Sequence, residues 1–325
     1  MPLPMPLLDP VTSAAGMVPP VFLVLYRDKI RYIGVSAKCK VGGANMAIVD
    51  YRQSGGCDVW VLSAGYVRMD GGAMFGVVPR PLWEKCYPPD ERNRIGLTMN
   101  CLLVRGQGET VLIETGFGGK VTEKLRKIYA LDESDGLLAS LETLNVAPEE
   151  ITRVVLTHLH QDHAGGCTVH KGGEYVPAFP NATYYVQEGE WEDAENADGQ
   201  TVNGYRYDEV MRPLASVLSL LDGDERICPF IEVIVTPGHT RRHQSVLVHT
   251  GEDTFCFVGD LIPTTHHLKP IYVMAYDLYP RQTYLVKQEV MERAVAENWI
   301  MVWPHDPDVA WGRLRRDDVG AYEVR

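Results

Sequence analysis

No run of about 18 consecutive apolar residues occurs in the 325-residue chain, so no membrane-spanning helix is expected. Basic charge is scarce: 31 Lys and Arg stand against 43 Asp and Glu, for a net charge of −12. A surface that tracks nucleic-acid phosphates is not expected on such a chain, and the only adjacent arginines are Arg241-Arg242 and Arg315-Arg316. The start of the chain carries Pro2, Pro4, Pro10, Pro19 and Pro20 but lacks the basic segment of a secretory signal. Cys39, Cys57, Cys86, Cys101, Cys167, Cys228 and Cys256 are odd in number and irregular in spacing. That excludes a disulfide framework and reads as the reduced thiols of a cytoplasmic protein. No internal repeat and no low-complexity tract is present.

What the chain does have is a dense cluster of metal-ligating side chains. Thr157-His158-Leu159-His160-Gln161-Asp162-His163-Ala164-Gly165-Gly166 places three of the ten histidines and an aspartate within six residues. Imidazole and carboxylate suit zinc, iron, manganese or cobalt. His158 and His160, two apart in extended chain, point to the same side, and Asp162 and His163 follow at a turn where adjacent side chains diverge. One short segment can therefore serve two ions. The β-branched run at residues 151–156 reads as a buried strand, so the cluster sits at a strand's C-terminal end, and Ala164-Gly165-Gly166 lets the chain bend tightly and enter a helix. His239 in Thr236-Pro237-Gly238-His239, Asp260 in Val258-Gly259-Asp260 and His305 in Trp303-Pro304-His305 each follow a strand-like apolar run. A lone histidine is usually a surface or core residue; recurrence at one topological position makes these three candidate ligands. Cys167 reads as a packing residue at a helix start.

This ordered set resembles the metallo-β-lactamase superfamily, whose signature is His-x-His-x-Asp-His followed by a distant His, Asp and His. The resemblance covers residues 57 to 310. It implies an α/β fold, an αββα sandwich of two mixed sheets flanked by helices, with two divalent metal ions at one edge. His158, His160 and His239 would hold the first ion, and Asp162, His163 and His305 the second. Asp260 would bridge them. Zinc is the default ion, with iron, manganese and cobalt compatible. The aspartate at 260 separates the chain from the antibiotic-destroying members, and His160 separates it from the diiron reductases, which carry glutamate there. The family's Asp-Thr-Gly turn reads Glu114-Thr115-Gly116 here, an acidic group that would orient a ligand histidine.

The branch it resembles most contains N-acyl-homoserine lactonases and methyl-parathion-type hydrolases. Those lactonases place an oxyanion-stabilising tyrosine three residues after the bridging aspartate; this chain has Pro263, leaving Tyr276 or His266 to substitute. Chemically, water held between two divalent ions loses a proton near neutral pH and attacks a carbonyl or phosphoryl centre, and the ions polarise the oxygen that becomes negative. Asp162 or Asp260 would relay the proton. The first expectation is thus a lactonase, the second a hydrolase of other esters, thioesters or organophosphates with β-lactamase side activity, and the third a metal-stabilised binding protein without turnover.

Residues 56–325 read as the catalytic domain and residues 1–55 as an N-terminal extension, either an extra edge strand around the apolar run at 21–26 or an arm for a homodimer. The recognisable sheet starts near Asp58. Gly106-Gln107-Gly108 joins strands at 100–105 and 110–114 as a hairpin. Helices are expected at 120–129, 137–144, 207–221 and 283–298, with a helical turn opened by Pro148. A glycine-rich apolar loop at 69–79 offers Met74 and Phe75, with Trp83 beyond it, as contacts for an acyl chain or ring of a small ester or lactone. A second wall is expected around His266 and Tyr276.

Overall fold

The computed structural model describes residues 48–132 and 136–325. The apolar run at 21–26 and the rest of the arm through residue 47 lie outside the described residues. In chain order the first nine strands are β1 (Ile48–Ser54), β2 (Cys57–Asp70), β3 (Arg94–Gly106), β4 (Glu109–Ile113), β5 (Arg153–Val155), β6 (Thr168–Lys171), β7 (Glu174–Pro177), β8 (Thr183–Gln187) and β9 (Leu218–Leu221). The next seven are β10 (Glu225–Cys228), β11 (Ile231–Val235), β12 (Gln244–His249), β13 (Thr254–Phe257), β14 (Ile300–Val302), β15 (Trp311–Arg316) and β16 (Tyr322–Val324).

Two seven-stranded sheets result, β1-β2-β3-β4-β5-β8-β9 and β10-β11-β12-β13-β14-β15-β16, with β6 and β7 as a small separate hairpin. Both sheets are mixed. The β4–β5, β5–β8, β8–β9 and β13–β14 pairs are parallel and the others antiparallel. β1, which falls in the segment read as an extension, pairs antiparallel with β2 from Ser54↔Cys57 to Ile48↔Leu62.

The alternation of side chains along each strand builds three layers of core. Val59, Val61, Leu102, Val104, Val111 and Ile113 of the first sheet meet Ile231, Val233, Val246, Val248, Phe255, Phe257, Ile300 and Val302 of the second. The intervening residues face outward: Trp60, Leu62, Leu103 and Leu112 pack under the helices Leu137–Thr143 and Gln161–Ala164. On the far side Leu247, Cys256 and Met301 pack against Val290, Met291 and Ala294 of the helix Pro280–Ala296. Each such buried side chain contributes roughly 1.5–3 kcal/mol against exposure, so the sandwich is held by pattern, not by any single contact. The αββα arrangement expected from the motif is the one observed.

Local signals account for the connections. In the β3–β4 hairpin Gln107 (φ 51°) and Gly108 (φ 82°) both take the left-handed conformation that a two-residue turn of matching twist demands. Helices form at Glu123–Tyr129, Leu137–Thr143 and Pro280–Ala296, and Pro148 opens a short 3₁₀ turn. The helix expected over 207–221 is corrected. Only a π turn at Tyr207–Met211 and an α turn at Arg212–Leu214 form there. The leucine-rich end of that run becomes β9, because it adds parallel to β8 with Tyr184↔Leu218 through Gln187↔Leu221.

β11, β13 and β14 run in one direction, since β11–β12 and β12–β13 are antiparallel steps and β13–β14 is parallel. Their C-terminal ends therefore emerge along one edge of the second sheet. β4 and β5 end together at the edge of the first. The loops after β5, β11, β13 and β14 carry the candidate ligands, and the turn after β4 carries Glu114.

Candidate metal centre

The loop after β5 delivers His158, His160, Asp162 and His163, and the loops after β11, β13 and β14 deliver His239, Asp260 and His305. All seven converge. Nδ1 of His160 lies 3.1 Å from Nε2 of His158 and 3.0 Å from Nε2 of His239. Nε2 of His239 lies 3.2 Å from Oδ2 of Asp260, and Nε2 of His158 4.0 Å from the same oxygen. The second group gathers on the other carboxylate oxygen: Oδ1 of Asp260 is 3.1 Å from Nε2 of His305 and 3.4 Å from Nε2 of His163. Those two nitrogens are 3.2 Å apart, with Oδ2 of Asp162 at 3.8 and 3.7 Å.

Hydrogen bonding shows what such a cluster needs. Nδ1 of His239 donates to Oδ1 of Asp277 at 2.9 Å, and Nδ1 of His305 donates to the Thr98 carbonyl at 2.8 Å. Nδ1 of His163 faces Oε2 of Glu114 at 3.0 Å. With their protons held on the outer nitrogen, these rings turn lone pairs towards one another and towards a carboxylate. Oδ1 of Asp260 is buried without a hydrogen bond. Cations between the donors would satisfy all of them, and a tetrahedral site with bonds of about 2.0–2.1 Å has ligand atoms about 3.3 Å apart. The residues fit a pair of divalent ions sharing Asp260.

Electrostatics follows the same division. Burial, and then the facing imidazoles, hold His158 and His160 well below the ordinary histidine range. Burial also disfavours charge on His163, His239 and His305, but the carboxylates, Asp260 foremost, outweigh it and raise them. Asp260 itself would be raised by burial, yet His163, His305 and His239 keep it well below the usual carboxylate range.

Several buried side chains position the ligands. Glu114, in left-handed conformation (φ 67°), turns its carboxylate inward at the end of β4, where Oε1 accepts from the Thr157 N–H at 2.7 Å. It is buried, so glutamate in place of the family's aspartate still reaches His163. Gly165 and Gly166 serve this junction and not the approach to ions: a Cβ on either would lie 2.2 Å from the carbonyl oxygen of Phe117 or Thr115. Cys167 is buried with its thiol 3.4 Å from the Thr115 hydroxyl, a packing role, but it closes a 3₁₀ turn ahead of β6 and starts no helix, the helix here being Gln161–Ala164.

Three positioning groups have no signature in the sequence. Fully buried Glu190 accepts from the Leu159 N–H (3.1 Å), Tyr205 (3.1 Å) and Thr240 (2.6 Å), so it clamps the chain between His158 and His160 and the residue after His239. His243 accepts at Nε2 from the Asp260 N–H at 3.1 Å, and burial holds its pKa down to about 3, in the neutral form this bond requires. Asp277 buttresses His239. Any signal lay only in His243 being a further histidine four residues after a ligand; Glu190 and Asp277 are indistinguishable from neighbouring surface carboxylates.

Above the cluster lies a cavity of about 310 Å³, reached by His160, Asp162, His239, Asp260 and His305 at its base. Met69, Met74, Met274, Leu278, Tyr129 and Tyr276 form an apolar side, and Gln161, Gln200, Thr201 and Asn203 a polar one. No lysine or arginine lines it among the described residues. Met74 and Tyr276 thus sit where a ligand would touch them. Phe75 and Trp83 do not: they stack with ring centroids 5.8 Å apart and are core, Phe75 also stacking on His267 at 4.5 Å. The turn Gly71–Phe75 sends Met74 to the cavity and Phe75 beneath it. His266 is exposed, edge-on to Tyr87 at 5.0 Å and outside the cavity lining, because its 3₁₀ turn buries His267 instead.

The sequence profile of the metallo-beta-lactamase superfamily matches residues 95–305, which span every ligand candidate. The chain belongs to this superfamily. That places it in a family of metal-dependent hydrolases. An N-acyl homoserine lactonase of Bacillus cereus is 27% identical over 171 residues, covering 49% of this chain and 61% of that protein. The match thus spans about three-fifths of that relative's length. The N-acyl homoserine lactonase AttM of Rhizobium radiobacter is 28% identical over 193 residues, covering 57% of this chain and 69% of that one. Among solved structures, a probable metal-dependent hydrolase from Staphylococcus aureus superposes with a TM-score of 0.77 at 31% identity, covering 84% of this chain and 99% of that one. AidC, a dizinc quorum-quenching lactonase in complex with a product, shares the fold, with a TM-score of 0.70 at 18% identity over 85% of this chain and 96% of its own. No helix among the described residues is long and apolar enough to cross a membrane.

Proposed function

We propose that this superfamily hydrolase is a dinuclear lactonase that opens N-acyl-homoserine lactones or closely related lactones. The observation that carries the reading is the shared carboxylate: Asp260 turns Oδ2 towards His239 and His158, which group with His160, and Oδ1 towards His305 and His163, which group with Asp162. The lactonase relatives support the substrate class. His158, His160 and His239 would hold the first ion and Asp162, His163 and His305 the second, with zinc the first choice. Two such ions supply the acidity that makes water nucleophilic at neutral pH and the positive charge that polarises a carbonyl.

The chain's own groups do the rest. Asp162, half-buried at the cavity base, is placed to take a proton and return it to the leaving alkoxide. The methionine-rich side accommodates an acyl chain, and the amide side offers donors and acceptors to an amide-bearing ring. The absence of lysine and arginine from the described lining favours an uncharged substrate. Tyr276 and Tyr129, both lining the cavity, are the phenols available in place of the tyrosine that Pro263 replaces; Pro263 instead accepts from the His305 N–H at 3.0 Å. That replacement is the reason to keep a second reading, hydrolysis of other uncharged esters or phosphotriesters. A cytoplasmic setting accords with the free thiols of the six described cysteines.

The test is a zinc-loaded preparation assayed on acyl-homoserine lactones of graded chain length, simple esters, a thioester, a β-lactam and a phosphotriester. Highest kcat/KM on the lactones, lost in His160→Ala with the fold retained, supports the lactonase. Turnover of a phosphotriester or ester with none of any lactone replaces it by the second reading. A loaded protein inactive on the whole panel leaves a non-catalytic metal-binding protein.

A further inference from the structure

One carboxylate joins a metal-ligand histidine to the apolar wall of the cavity. The Asp277 side chain is 1% exposed and its two oxygens serve different elements. Oδ1 accepts from Nδ1 of His239 at 2.9 Å, and Oδ2 accepts from the backbone N–H of Met274 at 3.0 Å. The backbone repeats the link, with Leu278 N–H donating to the His239 carbonyl at 3.0 Å and Tyr279 N–H to that of Gly238 at 2.8 Å. On its other side the same segment is tied to the first wall by Ala275 N–H donating to the Ala73 carbonyl at 2.8 Å. Gly76 (φ 54°) allows that approach, since a Cβ there would lie 2.4 Å from the Val273 carbonyl oxygen. Residues 273–279 form no helix or strand, so these bonds, the Asp277 N–H to Met274 carbonyl bond at 3.3 Å and the packing of Met274 in the core set where Met274, Tyr276 and Leu278 stand.

We propose that Asp277 is a positioning residue that couples occupancy of the metal site at His239 to the order of the cavity wall at 273–279. This rests on the reading that His158, His160 and His239 hold a metal ion. An ion on Nε2 fixes the His239 ring and strengthens the Nδ1–H bond to the carboxylate. With that oxygen fixed, its partner oxygen holds the Met274 amide in one place, and the wall follows. Coupling of this kind is reciprocal: a ligand that braces the wall tightens metal binding by the same factor. An apo chain would then possess the cavity's residues without the cavity's shape.

The experiment is backbone amide exchange, followed by mass spectrometry on peptides covering 273–279, with and without zinc, alongside zinc affinity from chelator competition. Wild type, Asp277→Asn and Glu114→Gln are compared. Asparagine must turn an NH2 towards one of two N–H donors, so it breaks the bridge while keeping the shape. Zinc is expected to slow exchange at 273–279 at least about tenfold in wild type. Asp277→Asn should lose most of that protection and bind zinc about 10–100-fold more weakly. Glu114→Gln, which touches the other ligand group, should weaken zinc while keeping the protection once loaded. Zinc taken up by wild type with unchanged exchange at 273–279 overturns the coupling and leaves the metal reading intact, whether or not the variants fold. Equal protection in Asp277→Asn and wild type overturns it too. Failure of wild type to take up zinc, manganese, iron or cobalt overturns the metal reading and this inference with it.

Discussion

Asp260 and His305 stand 3.1 Å apart, carboxylate Oδ1 to imidazole Nε2, and that buried oxygen makes no hydrogen bond. A position of this kind is tolerable only if a cation compensates it. Asp260→Ala should therefore keep the fold and lower metal content from two ions towards one or none, with kcat/KM falling more than about a hundredfold. Elemental analysis beside circular dichroism and kinetics checks this. Two ions retained in Asp260→Ala rules out the shared-carboxylate arrangement.

Glu190 should matter to stability more than to chemistry. Glu190→Ala leaves the Leu159 amide and the Tyr205 and Thr240 hydroxyls without their acceptor in a closed interior, costing roughly 2–4 kcal/mol. Glu190→Gln keeps one acceptor oxygen and can donate to the Thr240 hydroxyl, so its cost should be about half or less. Urea unfolding of the metal-free proteins gives the comparison; equal destabilisation by both changes would mean that charge, not hydrogen bonding, is what the site uses.

His267 predicts a direction of acid sensitivity. Its Nε2 donates to the Met74 carbonyl at 2.9 Å, and burial, then nearby Lys287, hold its pKa down to about 3. The unfolded chain binds a proton here below about pH 6.5 that the folded chain refuses. Stability should thus fall as pH drops from about 6.5 towards 3, by up to about 1.4 kcal/mol per unit from this residue, with no effect above pH 7. Metal-free wild type and His267→Asn, unfolded in urea at pH 7 and pH 4.5, report it. The variant should show the smaller pH loss; parallel losses would assign acid sensitivity to the other depressed histidines, His158, His160 and His243.

The cavity wall should sort substrates by chain length. Met274→Trp fills part of the 310 Å³ cavity, so kcat/KM for a long acyl chain should drop at least about tenfold more than for a short one, mainly through KM. His266→Ala should leave both within about twofold, since that ring lies outside the cavity. A large loss on His266→Ala, or equal losses for both chain lengths on Met274→Trp, contradicts the placement of the wall.

How much of this was legible beforehand depended on how local the determinant is. The seven ligand candidates could be read because His158 to His163 are neighbours in sequence and each distant partner ends an apolar run. The β3–β4 hairpin could be read because Gln107-Gly108 carries its own backbone preference. The run at 207–221 could not: its last residues are a strand only because β8 lies beside them. Phe75 and Trp83 looked as eligible for the cavity as Met74, and only the packing of the Gly71–Phe75 turn on the sheet separates them. Glu190 and Asp277 were invisible because nothing in the acidic stretch at 188–195, or around 277, distinguishes a buried carboxylate from a solvated one until distant strands fold over it.

Each ligand grouping draws two members from the first sheet and one from the second: His158 and His160 with His239, Asp162 and His163 with His305, His158 and His163 with Asp260. Neither half of the sandwich owns a complete set. A chain with one sheet formed and the other still disordered has at most two anchored donors for any ion, too few to hold it firmly. With these groups holding ions as proposed, capture of metal would be a late event that certifies assembly, and the ions would act as rivets across the seam between the sheets. A stripped protein would be expected to part along that seam first.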